Sequence, residues 1–353
     1  MGGLFSRNGP PSAEGGFFSR NGPPFAEGQI TPARTRMVLE LRHTSPLLSC
    51  RFDPAGRFVF AGAQDNSIQR WELANHAKVA LSGHRSWVRG LAFLGANRKL
   101  LSSDYNGKVL VWSTSAASPQ PERIIDAHDG WVRAIAVSPD SQQFATCGND
   151  NLVKLWSIAD FSLARTFEGH TSHVYNVAFH PNGRDLMSGD LRGNVKEWEL
   201  RTGRQTRTLD ASVIFRYDPT FRADHGGVRS MCFNADGSLL ACAGITNVSN
   251  AFAGIGNPAI VLFNTQTGQR TQVLRVQPAF QGTAWGVVFH SGGLVIGAGA
   301  GSGGGIWFWR HTEQNSIHNV AVPNNARDLA LHPDGRRLAV PCFDGVVRIY
   351  ELA

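Results

Sequence analysis

Residues 128 to 156 read HDGWVRAIAVSPDSQQFATCGNDNLVKLW. An opening histidine leads into an alternating apolar stretch, VRAIAV, then a turn, a second apolar stretch, a second turn, and a third stretch that closes on tryptophan. Alternation at a period of two, broken by Gly, Pro, Asn and Asp, predicts short strands joined as hairpins. The histidine stands 28 residues before the tryptophan, and His43 to Trp71, His84 to Trp112 and His170 to Trp198 repeat that distance. A fixed spacing met four times defines a repeat rather than a composition.

Working outward, the format continues with drift. VRSMCFNADG leads to IVLFN, WGVVFHSGG to IWFWR and RDLALHPDG to VVRIYEL, so Phe263, Trp309 and Tyr350 take the closing aromatic position. Seven units over residues 37 to 353 come to roughly 45 residues each, the length of one propeller blade per repeat. The last unit stops at its third strand, while MVLEL, residues 37 to 41, is a strand without a unit of its own. Pairing the two completes the seventh blade from both chain ends and leaves no open edge.

On these residues, 37 to 353 resemble a WD-repeat β-propeller, which implies an all-β fold of seven four-stranded antiparallel blades. The resemblance implies a tetrad of hydrogen-bonded side chains in each blade: His, a Ser/Thr, an Asp and the Trp. Unit three matches throughout, as His128, Thr146, Asp150 and Trp156. Unit two offers His84, Ser102, Asn106 and Trp112; unit one His43, Asp65 and Trp71, with Ala61 at the hydroxyl position; unit four His170, Ser188 and Trp198, with Arg192 at the acid position. The Trp-Asp dipeptide itself is absent.

A hydroxyl, a histidine and an acid at fixed spacing are also the parts of a nucleophilic triad. Recurrence in blade after blade, with an indole N–H to satisfy the hydroxyl, favours a buried structural network over catalysis. The glycine-rich run LVIGAGAGSGGGIWFW, residues 294 to 309, leads into a strand, whereas a dinucleotide site needs a helix there. It reads as a turn between two strands of unit six. Residues 246 to 257 form an insertion of open role, since loop length is cheap in entropy and loops also carry function.

In WD-repeat relatives the side chains three and five residues after the tetrad histidine face the mouth of the central channel, where partners dock. Carried onto this chain they are Pro46 and Leu48, Trp87 and Arg89, Trp131 and Arg133, His173 and Tyr175, Gly227 and Arg229, Thr283 and Trp285, and Asn325 and Arg327. Arginines and large aromatics anchor interfaces, and a guanidinium pairs in fork geometry with carboxylate or phosphate. The implied function is a non-catalytic protein interaction scaffold that binds an acidic or phosphorylated peptide segment.

Two rivals follow from the same residues. A propeller hydrolase would need carboxylates and a metal at the mouth, and this ring holds no acid. A nucleic-acid partner suits Arg with aromatics, but a net charge of +7 over 353 residues is weak support. No cofactor or metal is expected. The five cysteines, Cys50, Cys147, Cys232, Cys242 and Cys342, lack paired spacing and read as small apolar core residues. With no apolar run of spanning length and no secretory h-region, the expectation is a cytoplasmic, monomeric propeller within a larger complex, with no membrane contact.

Residues 1 to 36 lack strand or helix periodicity and predict a disordered tail. GGLFSRNGPPSAE, residues 2 to 14, is followed by its near copy GGFFSRNGPPFAE, residues 15 to 27. Two copies could raise avidity for a two-site partner, or be a neutral duplication.

Overall fold

A computed structural model describes residues 30–95, 99–116, 118–250 and 255–353. The duplicated segment lies outside them. Seven four-stranded antiparallel sheets follow one another along the chain, and the inner strand of each packs beside the inner strand of the next until the seventh meets the first. The chain is a closed seven-bladed β-propeller. In blade 3 the strands, from the channel outward, are Val132–Val137, Gln143–Gly148, Val153–Ser157 and Leu163–Phe167. Blades 1, 2, 4, 5 and 6 span 47–82, 88–126, 174–210, 230–275 and 282–322.

The seventh blade is built from both ends of the propeller. Arg36–Arg42 pairs antiparallel with Val346–Glu351 and forms its outermost strand. Arg36 reaches Glu351 at 2.6 Å, and the Arg348 guanidinium holds Asp344 at 2.7 Å and Glu40 at 3.2 Å. Residues 30–36, placed in the tail by the lack of strand periodicity, are attached to the propeller: Pro32–Arg34 make a single 3-10 turn, Thr31 N–H donates to Ala353 O at 2.6 Å, and Ile30 packs on the core of blades 6 and 7.

The core lies in the gaps between blades. Between blades 3 and 4, Ala145, Cys147 and Leu155 meet Val177, Phe179, Leu186 and Trp198. Each sheet is therefore apolar on both faces, and neighbouring faces interdigitate as in a sheet sandwich. Cys50, Cys147, Cys242 and Cys342 are buried and Cys232 is half-buried.

Polar staples on the lower rim tie blade to blade. Turn histidines reach the next turn's glycine carbonyl: His180 to Gly237, His290 to Gly335, and His332 to Gly56 across the closure, at 3.1, 2.9 and 2.8 Å. Fourth-strand arginines do the same further out: Arg123 donates to Asp160 O, Arg165 to Thr202 O and Arg207 to Gln266 O.

In blade 6 the glycine-rich run forms the hairpin Leu294–Gly301 and Gly303–Arg310. Its glycines answer a packing demand. A Cβ on Gly299 would stand 2.0 Å from Thr283 O, and one on Gly305 would stand 2.8 Å from the buried Trp307 indole.

The chain adds two hairpins to the propeller plan. The second and third strands of blade 5 are lengthened, Leu239–Asn250 and Ile255–Asn264, which accounts for the 246–257 insertion apart from its tip, residues 251–254, outside the described residues. The other, Phe215–Asp218 paired with Ala223–Gly226, joins blades 4 and 5 and was not foreseen from the sequence. Arg216 Nη1 donates to Val248 O at 2.6 Å and ties the two hairpins together.

Candidate interaction face

The channel mouth is organised by the tetrads. In blade 2, Trp112 Nε1–H donates to Ser102 Oγ at 2.7 Å, Ser102 Oγ lies 2.6 Å from His84 Nε2, and His84 Nδ1 lies 2.9 Å from Asp104. Blade 3 repeats this with Trp156, Thr146, His128 and Asp150 at 2.9, 2.8 and 2.8 Å, and blade 4 with Trp198, Ser188, His170 and Asp190 at 2.7, 2.7 and 2.9 Å. One neutral tautomer satisfies every partner: Nδ1–H to the carboxylate, hydroxyl to Nε2, indole to hydroxyl. Ser102, Thr146 and Ser188 are fully buried, so none can reach a substrate.

The acid position is corrected in two blades. Asn106 and Arg192 sit where alignment with Asp150 put the carboxylate, yet the histidines of blades 2 and 4 bond to Asp104 and Asp190, two residues earlier. Asn106 donates its backbone N–H to Asp104, and Arg192 pairs with Asp224 of the added hairpin at 2.8 Å. The signal was present as Ser102-x-Asp104 and Ser188-x-Asp190.

Burial raises the pKa of Asp104, Asp150 and Asp190, but hydrogen bonds from histidine and from turn N–H groups outweigh it. All three lie below the usual carboxylate range.

Blade 1 lacks the hydroxyl and solves the problem differently. His43 turns Nε2 toward Asp65 at 2.7 Å, and Lys78 Nζ donates to Nδ1 at 3.1 Å while lying 5.4 Å above the Trp71 ring. In blade 6 Trp309 Nε1–H donates to Arg275 O at 2.8 Å instead; Phe263 and Tyr350 are buried at the aromatic position of blades 5 and 7.

Each tetrad pins the loop entering a blade to the turn between its second and third strands. Strand pairing then fixes the mouth. The pairing register skips one residue near the start of the inner strand, leaving Leu48, Arg89, Arg133, Tyr175 and Trp285 as bulge residues in blades 1, 2, 3, 4 and 6. A bulge re-aims its side chain. The residues two earlier are fixed through their carbonyls: Pro46, Trp87, Trp131, His173 and Asn325 accept from Gln64, Tyr105, Asn149, Leu191 and Phe343 N–H at 2.9 to 3.2 Å. Arg229 and Arg327 occupy the matching place in blades 5 and 7, their N–H groups bonded to Ala243 O and Pro341 O.

The side chains so placed form a continuous chain of contacts. Trp87 lies 6.0 Å from Tyr105, which stacks on Trp131 at 3.9 Å and an interplanar angle of 3°. The Arg133 guanidinium lies between Trp131 and Tyr175, 4.3 and 4.4 Å from their centroids. Arg229 lies over Tyr175 and Trp285 at 4.6 and 5.0 Å, and Arg327 over Trp285 and Phe343 at 5.0 Å each.

Arg89 and His173 stand apart from this chain. Arg89 is turned onto backbone, donating to Leu48 O and to Arg327 O. His173 is bonded to Asn149 O at 2.7 Å. Pro46, Leu48, Gly227, Thr283 and Asn325 contribute no charge or ring.

Tyr105 and Phe343 escaped the sequence reading because they come from the turn between the second and third strands. The cue was an aromatic just after the tetrad acid in DYNG and just before Asp344 in CFDG. The acid next to Arg327 in sequence, Asp328, is buried and spent on Arg51 at 2.7 Å and on the N–H groups of Cys50 and Leu329. Among the described residues no group of three or more His, Cys, Asp or Glu could hold a metal ion, and no helix is long and apolar enough to cross a membrane.

Comparison with known proteins agrees with this architecture. The family described as "WD domain, G-beta repeat" matches residues 36–72, 76–113, 119–157, 161–199 and 218–247, over half of the chain. Similar proteins include apoptotic protease-activating factor 1 of Rattus norvegicus, 30% identical over 203 residues, which are 57% of this chain and 16% of that protein. An uncharacterised WD repeat-containing protein of Schizosaccharomyces pombe is 28% identical over 175 residues, 46% of this chain and 47% of that protein. Protein groucho of Drosophila melanogaster is 24% identical over 198 residues, 54% of this chain and 27% of that protein. The chain thus spans less than half the length of each of these relatives. With five matched repeats set in seven closed blades, the chain belongs to the WD-repeat family.

Proposed function

We propose that the protein is a non-catalytic interaction scaffold whose channel mouth binds an acidic or phosphorylated segment of another protein. As a WD-repeat propeller it is an interaction platform in the general sense. The finer reading rests on one observation: contacts run without a break from Trp87 through Tyr105 to Trp131, arginines and aromatics alternate from Trp131 to Phe343, and among the described residues no carboxylate is in contact with them. Stacked rings give broad contact area at low entropy cost, and guanidinium groups held over ring faces keep their N–H edges for an oxyanion. A cytoplasmic setting, and a single propeller working inside a larger complex, belong to the same proposal.

A peptide array of acidic, phosphorylated, neutral and basic segments tests it. Wild-type protein is expected to retain acidic and phosphorylated spots, and a variant with Arg89, Arg133, Arg229 and Arg327 all changed to Ala is expected to lose them while melting cooperatively. Equal retention by the folded variant would sink the reading.

A further inference from the structure

The four ring arginines are not equivalent. Arg133 is engaged by its own protein: Nε donates to Asn149 Oδ1 at 2.7 Å, and the guanidinium is sandwiched between Trp131 and Tyr175. Arg89 spends one terminal nitrogen on two backbone carbonyls. Arg229 and Arg327 differ, since the Nε of each is buried and has no hydrogen-bond partner among the described residues. Both lie within 5.0 Å of the same ring, Trp285. A buried donor left unmade is costly, and natural structures keep few of them.

We infer that Arg229 and Arg327, set about Trp285, form a clamp for a single doubly charged oxyanion, the phosphoryl group of a phosphorylated side chain, while the Trp87, Tyr105 and Trp131 side of the mouth is an uncharged shelf for the flanking residues. This rests on the proposed function and narrows it. The electrostatics point the same way. Burial lowers the pKa of both arginines; Arg133 adds to this at Arg229, and Arg89 and Arg229 add to it at Arg327. Tyr175, the hydrogen-bond partner that Arg229 does have, offers a hydroxyl and not a carboxylate. His225, on the added hairpin, is lowered by burial and then by the charge of Arg229. Two cations set about one ring, with no carboxylate paired to either among the described residues, are matched in charge by a phosphoryl dianion, which a lone carboxylate does not supply.

The inference predicts a stability signature that a merely structural arginine would not give. Removing an uncompensated buried charge stabilises the empty protein, whereas removing a bonded one does not. Arg229→Met and Arg327→Met should each raise the melting temperature, by about 2 °C or more, and Arg89→Met should lower it. Inorganic phosphate, exchanged for chloride at constant ionic strength, should raise the wild-type melting temperature and leave that of the Arg229→Met and Arg327→Met proteins unchanged.

In the same proteins, retention of a phosphoserine-oriented peptide pool should fall at least tenfold for Arg229→Met or Arg327→Met and less than threefold for Arg133→Met. The pool with Asp in place of phosphoserine should be held at least tenfold more weakly by wild type. The clamp is overturned if the Arg229 and Arg327 variants melt lower, as Arg89→Met does, or if Arg133→Met costs as much retention as they do. Phosphate stabilisation without peptide retention would keep the clamp and remove the peptide-binding reading; acidic peptides retained independently of Arg229 and Arg327 would do the reverse.

Discussion

His170 Nδ1 stands 2.9 Å from a carboxylate oxygen of Asp190, and neither side chain is exposed to solvent. The same relation between His84 and Asp104 identifies the acid that holds blade 2 together. Asp104→Ala should destabilise the fold by about 2–4 kcal/mol, because it strips a buried histidine and two turn N–H groups of their acceptor. Asn106→Ala, at an exposed side chain, should cost less than about 0.5 kcal/mol. Urea denaturation of the two variants checks the assignment, and the reverse order would place the tetrad acid at 106.

Acid should weaken the propeller through these pairs. Asp104, Asp150 and Asp190 are lowered in the folded state, so they contribute stability that is present above the unfolded carboxylate pKa of about 4 and is lost as pH falls through their lowered values. Melting temperature followed downward from pH 6 should drop most steeply below about pH 4. The drop should be shallower in Asp190→Asn, which has one such group fewer.

Closure from both chain ends gives a truncation pair. A chain beginning at residue 30 keeps the Thr31 bond to Ala353 and the strand Arg36–Arg42, and should melt as the full chain does. A chain beginning at residue 43 loses the outermost strand of blade 7 and exposes the edge of Val346–Glu351, so it should aggregate. Light scattering during a thermal ramp separates the two outcomes.

The glycine-rich hairpin of blade 6 should be intolerant for packing reasons. Gly299→Ala drives a methyl group into Thr283 O and should cost roughly 3 kcal/mol. Gly183, with open space at its Cβ direction but φ at +68°, should cost less, about 1 kcal/mol as Ala. Chemical denaturation of both variants measures the difference.

Blade number and closure were legible in the sequence, because the His-to-Trp spacing fixes the register of blades 1 to 4 and the remaining units follow the same format with drift. The tetrad acids of blades 2 and 4 were misread because a carboxylate two residues earlier in the same turn reaches the same ring nitrogen. The hairpin Phe215–Gly226 was hidden because FRYDPTFRADHG is polar, short and lacks alternation over more than a few residues. Its exposed Tyr217 and Phe221 carry no core signal. The split between engaged and unengaged arginines depends on Asn149, in the turn after the second strand of the same blade as Arg133, and on the carbonyls of Leu48 and Arg327, which Arg89 reaches across blades; no local pattern encodes these contacts.

Binding of a partner at the Arg/aromatic mouth is tested by the structure of the protein in complex with a phosphorylated peptide selected on the array. The phosphoryl group is expected between Arg229 and Arg327 beside Trp285, with flanking residues lying over Tyr105 and Trp131. A peptide seated instead on the outer strands or the lower rim, with the mouth side chains untouched, would contradict it.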